Sequence, residues 1–334
     1  MYQKSTLPSI VTRLFARFKP AVYPAIIALA AGTPSGALAG SISGVYGFGA
    51  NATGGDRGTY RPVYNVADLR EHAASAERSF IDIHGPMDLG GSSLYLASNK
   101  TLRGIWSNSS IKGSVFVKNV NNVVIRDLTI TSPLGGEGIT VWNGNNVIVY
   151  KCTLDNCADG SIDMTTGSTN ITIAHCQFLY STQTYHNFVN LVVGESPTNL
   201  ARVTVHNCWY SNGCEQRMVK ATNAFAHMFS NYYSTTNAAY CMGADDYGYI
   251  WGSDNVFEKA HNPWLYQATA NRGVRLWNTY HISAPSWGGA MSGYYSQHGN
   301  YGSWDWIPSV VNYSYVATDK SQVKSQVMSN LGKR

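Results

Sequence analysis

Three acids and one arginine carry the chemistry in this chain. Asp159 and Asp163 lie in the stretch "CADGSIDMTTGSTNITIAHCQF", residues 157–178, each two residues from Ser161. Residues two apart in an extended chain point the same way, so the pair faces one side. Glu137 lies 15 residues after Asn122, and Ser161 lies 15 after Asn146, which gives them the same phase in a 24-residue repeat. Glu137 is therefore expected over the gap between the two aspartates. Three carboxylates on one external face repel one another and raise their own pKa values unless a cation neutralises them. A semi-open, oxygen-only set suits Ca²⁺, with water or substrate completing the coordination. An isolated Asp159 beside Gly160 reads as a turn, and an isolated Asp163 as a solvated strand residue. Glu137 at matching phase favours the site instead.

The repeat that sets this phase is "NVVIRDLTI" from Asn122, "NVIVYKCTL" from Asn146 and "NITIAHCQF" from Asn170. It continues less regularly as "RVTVHNCWY" from Arg202, "FAHMFSNYY" from Phe225 and "YIWGSDNVF" from Tyr249. No unit is large enough to bury its own apolar face. Short β-branched strands at this period, separated by Gly, Asn, Ser and Thr, predict an all-β chain wound as a parallel β-helix around one shared core. Leucine-rich repeats would need recurring leucines, which are missing. On the same ruler Tyr185 falls 15 after Asn170, and Arg217 falls 15 after Arg202. Arg217 then projects from the face of the acids two coils on, roughly 10 Å away at about 4.8 Å per coil. That span would take one sugar unit. A lone Arg is otherwise a surface ion-pair partner.

Position seven of each unit reads Leu128, Cys152, Cys176, Cys208, Asn231 and Asn255, so cysteines stack on cysteines. With Cys157, Cys214 and Cys241 they make six, enough for disulfides in an exported chain; buried free thiols in an inward stack fit equally. The chain opens "MYQKSTLPSIVTRLFARFKP", with Lys4, Arg13, Arg17 and Lys19 and no acid. An apolar segment follows, ending at the small-residue "ALA" before Gly40. Residues 1–39 read as a secretory signal peptide cleaved after Ala39, and residues 40–334 as a single domain. The apolar segment is shorter than the roughly 20 residues that span a bilayer, which disfavours a retained anchor. The formal net charge is +5, and removing the four basic residues of the leader leaves it near +1. No Lys/Arg-dense helix is present, so neither nucleic acid nor a membrane is an expected partner. The chain is expected to act extracellularly as a monomer. Asn51, Asn99, Asn108, Asn170 and Asn312 begin N-x-S/T triplets, weak support for export and glycosylation.

With these residues placed, the chain resembles the pectate lyase family over nearly all of residues 40–334. "GVYGFGANATGGDRGTYRPVYNVADLREHAA" is similar to that family's opening, and "SNKTLRGIWSNSSIKG" to its approach to the helix. "DGSIDMTTGSTNITIAHCQF" matches its calcium coil, "RMVK" its catalytic arginine motif, and "YSYVATDKSQVKSQV" its closing segment. The resemblance implies a right-handed parallel β-helix that cleaves polygalacturonate by β-elimination, with Glu137, Asp159 and Asp163 as Ca²⁺ ligands and Arg217 as base. An arginine ordinarily keeps its proton far above neutral pH, so its use as a base favours an alkaline optimum.

There are departures from the family. Tyr150 and Lys151 replace the usual acid and histidine, Thr165 stands in place of a substrate-binding Lys, and Thr222 in place of a second Arg. The segment before Gly194 lacks the usual Lys: counting back gives Val189, whereas coil phase offers Tyr185 or His186. His186 and Lys220 are the candidates for touching substrate, each against the alternative of an ordinary surface residue. Trp142 near the acids either stacks on a sugar or fills a coil gap. The competing functions are a pectin lyase acting on methylated substrate and an inactive β-helix that binds cell-wall polysaccharide. A hydrolase would need an acid and base pair around a water, and no second acid pair shares a phase.

Overall fold

The computed structural model describes residues 42–182, 184, 186–260, 262–265, 273–282, 295–298 and 307–332. The expected leader, residues 1–39, and Tyr185 lie outside them. The chain winds as a parallel β-helix. Among the described residues, one 11-stranded sheet runs from Thr59–Val63 through Asn121–Arg126, Asn145–Tyr150 and Thr169–Ala174 to Gly248–Ser253 and Gly273–Trp277, and ends at Tyr295–His298, its one antiparallel edge strand. A 14-stranded sheet forms the other faces and turns a corner through the long strand Ser110–Lys118. That strand pairs with Thr129–Thr131 at its start and with Glu137–Trp142 at its end.

The repeated asparagines mark the corners. Asn122, Asn146 and Asn170 have φ of 60°, 58° and 53°, and Asp127, Lys151, His175 and Asn207, at position six of their units, have φ of 54°, 50°, 54° and 52°. This left-handed conformation is costly for most side chains and cheapest for Asn and Asp, which can bond to their own backbone. Between the corners β-branched residues alternate inward: Val123 and Ile125, Val147 and Val149, Ile171 and Ile173, and Val203 and Val205 are all fully buried in one core. Helix Val66–Ala74, capped by Asn65, adds Leu69 and Ala73 to that core.

Position seven forms the expected inward stack. Leu128, Cys152, Cys176, Cys208, Asn231 and Asn255 are fully buried. None of the six cysteines is in a disulfide, which resolves the two readings left open by sequence. The Sγ atoms of Cys152, Cys176 and Cys208 lie 3.6–3.7 Å from the carbonyls of Ile125, Val149 and Ile173 one coil away. The column then continues in amide chemistry: Asn231 donates to Asn255 Oδ1 at 3.1 Å, and Asn255 to the Met228 carbonyl at 3.0 Å.

The 24-residue ruler holds on two faces and slips on the third. Thr129 pairs with Thr153 and Val123 with Val147, but Ile139 pairs with Ile162 and Glu137 with Gly160. The corner between Thr131 and Glu137 is one residue longer than its successor between Asp155 and Gly160. The corner after Thr165 regains that residue, because Trp142 pairs with Thr165 and Asn145 with Thr169. Glu137 therefore sits opposite Gly160 rather than the expected Ser161. Ser161 instead points inward, 1% exposed, beside the Tyr180 hydroxyl.

Candidate active site

The acids and the arginine share the outer face of four neighbouring strands: Glu137–Trp142, Gly160–Thr165, Phe188–Val193 and Gln216–Thr222. Outward positions line up across them, Thr140 with Asp163, Asp163 with Leu191, and Leu191 with Lys220. Gly160 is the hub. A Cβ placed there would stand 3.0 Å from Asp163 Oδ1 and 3.8 Å from Glu137 Cγ, so its missing side chain leaves a notch between the two acids. Glu137 Oε2 accepts a hydrogen bond from Thr140 at 3.1 Å. Asp159 is turned to the side, where its Oδ1 lies 2.8 Å from His186 Nδ1. Among the described residues no three His, Cys, Asp or Glu side chains stand close enough, as placed, to hold an ion together.

The electrostatics mark the notch as short of positive charge. Burial, then the charge of Glu137, and also that of Asp159, push the Asp163 carboxyl from 3.8 up to about 7, with Arg217 pulling the other way. A carboxylate held against its own charge in an oxygen-lined notch is what a hard divalent cation relieves. The donor set thus fits Ca²⁺, with Glu137 and Asp163 on either side of Gly160. Asp159 would join by leaving His186.

Arg217 is placed by its own backbone. Phe188 pairs with Gln216 and Asn190 with Met218, so Arg217 precedes the register shift that follows at Leu191 and Lys220, and its φ is 61°. A non-glycine residue in this left-handed region stores on the order of 1–3 kcal/mol that the surrounding ladder must supply. The guanidinium carbon lies over Phe188, 4.1 Å from the ring centroid. His186 stacks on Phe188 at 4.4 Å with planes 9° apart. An aromatic spine thus links Arg217 to the residue that holds Asp159. Arg217 Nε has no hydrogen-bond partner although it is buried, and Tyr240 stands close enough to feel the arginine's charge.

The remaining sequence candidates fall as follows. Lys220 is on the face and paired with Asp245 at 2.8 Å. Trp142 is 42% exposed beside Lys118, whose Nζ lies 5.3 Å from the ring centroid, so it does not fill a coil gap. Val189 is fully buried and points away from the site. Thr165 and Thr222 end their strands on the same sheet as the acids. Tyr150 ends a strand of the other sheet, where it packs with Val45, Ala52 and Ile148, and Lys151 is the corner that follows it. Their departure from the resembled pattern therefore leaves the acidic face untouched. Sequence reasoning missed Phe188, Tyr240 and Asp245; the only available signal was an aromatic at the start of an outward strand, Phe188 in "HNFVN".

The family model described as "Right handed beta helix region" matches residues 82–258, more than half of the chain. The chain is 28% identical over 254 residues to putative pectate lyase 21 of Arabidopsis thaliana, covering 67% of this chain and 63% of that protein. It is 31% identical over 153 residues to the pectate trisaccharide-lyase of Thermotoga maritima, covering 41% of this chain and 40% of that protein. It thus spans less than two thirds of either relative's length. Among solved structures, a pectate lyase from Bacillus sp. N165 in complex with trigalacturonate superimposes with a TM-score of 0.66 at 17% identity, covering 86% of this chain and 98% of that one. The cedar pollen allergen jun a 1 does so with 0.66 at 21%, covering 86% and 92%. The chain belongs to the right-handed β-helix family, and its coils are those of the pectate lyase fold.

Proposed function

We propose that the protein is a secreted polysaccharide lyase that cleaves α-1,4-linked polygalacturonate by β-elimination. One observation carries the reading: Arg217, held in a strained left-handed backbone, stands on the face that carries the Gly160 notch, close enough to bear on Asp163. The curated relatives named as pectate lyases support it. A uronate in the groove would present its C5–H to Arg217. A guanidine nitrogen takes that proton, the C5 electron pair becomes the C4–C5 double bond, and the glycosidic oxygen leaves from C4 and is protonated from solvent. The product is an unsaturated oligogalacturonide. Phe188 holds the guanidinium over its ring, so that little reorganisation remains at the moment of transfer. Ca²⁺, held by Glu137, Asp163 and Asp159, would supply Lewis-acid neutralisation of the uronate carboxylate. His186, stacked over Phe188 beside Asp159, borders the same groove.

The paired state of Lys220 favours a second substrate, methylated pectin. Its ammonium is committed to Asp245, and Thr165 and Thr222 bring no charge, so the groove offers few cations to uronate carboxylates. The test is ultraviolet absorbance of unsaturated product on polygalacturonate and on methylated pectin, with and without chelator. Chelator-sensitive release on polygalacturonate is the expected result. Release only on methylated pectin selects the second substrate, and none on either overturns the lyase reading in favour of binding alone.

A further inference from the structure

We propose that Tyr95, Phe116 and Trp142, with Lys118, form a platform that binds an acidic glycan chain on the N-terminal side of the acids. The inference rests on the lyase reading and extends its groove beyond the reacting sugar. The outward positions form one continuous row: Tyr95 pairs with Phe116, Phe116 with Thr140, and Thr140 with Asp163. A parallel row two residues along carries Lys118, Trp142 and Thr165. At about 4.8 Å per strand, Phe116 stands roughly 10 Å and Tyr95 roughly 14 Å before Asp163.

These rings serve no core. The residues between them, Val115, Val117, Ile139 and Val141, point inward and are fully buried, whereas Tyr95 is 54% and Trp142 42% exposed. Tyr95 and Phe116 lie 5.1 Å apart, tilted by 30°, and leave an aromatic surface open to solvent. Single exposed aromatics are unremarkable on a protein surface, but two exposed rings with the half-buried Phe116 between their strands, continuous with a catalytic face, make a contact surface. Its chemistry matches a polyuronate. The C–H face of a pyranose packs on an aromatic ring, and the Lys118 ammonium, exposed and without an ion pair among the described residues, can meet a uronate carboxylate.

The test uses the full chain with Tyr95→Ala and Trp142→Ala, each checked by thermal melt. Affinity electrophoresis in polygalacturonate gels measures binding; initial rates on the polymer and on trigalacturonate measure turnover. Each variant should weaken polymer binding and raise polymer KM by about tenfold, the scale of one stacked ring, while kcat and trigalacturonate kinetics stay unchanged. Unchanged polymer binding in folded variants overturns the platform. Equal losses on polymer and trisaccharide, with a lowered melt, overturn it in favour of a packing role. Should wild type bind the polymer without releasing unsaturated product, the lyase reading fails alone, and weakened gel binding by the variants still supports the platform. Wild type that does not bind the polymer overturns it.

Discussion

Replacing Asp163 by Asn isolates the electrostatic strain at the Gly160 notch. In the folded, metal-free protein the Asp163 carboxyl titrates near 7, against 3.8 for an ordinary aspartate. A raised carboxyl pKa means that the folded state holds the proton more tightly. The ionised group therefore destabilises the fold above pH 7, and the penalty disappears as pH falls towards 4. A gap of about three pH units sets a ceiling of about 4 kcal/mol, and with one side of the notch open to water about 2 kcal/mol is expected. Wild-type melts alone would hide this, because His175, His206 and His227 titrate in the opposite sense over the same range. Burial lowers them to about 4, 3 and 3. The variant shares those histidines, so the difference between the two proteins is the observable. In chelator, Asp163→Asn should melt about 5 °C above wild type at pH 8.5, with the gap closing between pH 7 and 4. Saturating Ca²⁺ should reverse the order, since it binds the ionised wild type and adds about 2.7 kcal/mol at a hundred times Kd. A gap absent at pH 8.5, or one that widens as pH falls, would refute the reasoning.

Arg217→Lys keeps the charge but loses the planar fork on Phe188; turnover should fall by about 10² or more with the melt unchanged, and near-wild-type turnover would reject the base. Calorimetry should show Asp163→Ala binding Ca²⁺ more weakly than wild type in the presence of oligogalacturonate, and equal binding would remove Asp163 from the ligand set. His206 and His227, buried, and His175, largely so, are neutral in the fold, so they add stability above pH 6.5 that is lost as pH falls through about 4; acid melts of Asp163→Asn, which lacks the opposing carboxyl, that stay flat over that range would contradict their burial. N-terminal sequencing of exported protein should begin near Gly40, and an intact Met1 would rule out the leader.

The β-helix was legible because each coil repeats the same two demands, β-branched residues facing inward and a left-handed corner that Asn tolerates. Both leave marks at fixed spacing, as in Val147, Val149 and Asn146. The stack at position seven was legible for the same reason. The site was legible only to within a residue. Sequence period counts residues per coil, whereas a side chain's partner depends on which corner takes up an insertion, and the extra residue before Glu137 moved its neighbour from Ser161 to Gly160. Arg217 was reached by phase although its coil holds a bulge, because the shift falls after it, at Leu191 and Lys220. The engagement of Lys220 by Asp245 and of Asp159 by His186 left no trace in the sequence. Those partners come from different coils across corners of unequal length.

The column of unpaired thiols bears on how the protein can be made and handled. Its cohesion comes from sulfur-to-carbonyl contacts between coils and from the asparagines that continue it, none of which involves electron transfer. Folding therefore needs no oxidant and no isomerase, and a reducing cytosol is as suitable a host as an export pathway. With every sulfur sealed from solvent, strong reductants should leave the melt where it was, and thiol-reactive labels should report unfolding rather than the native surface.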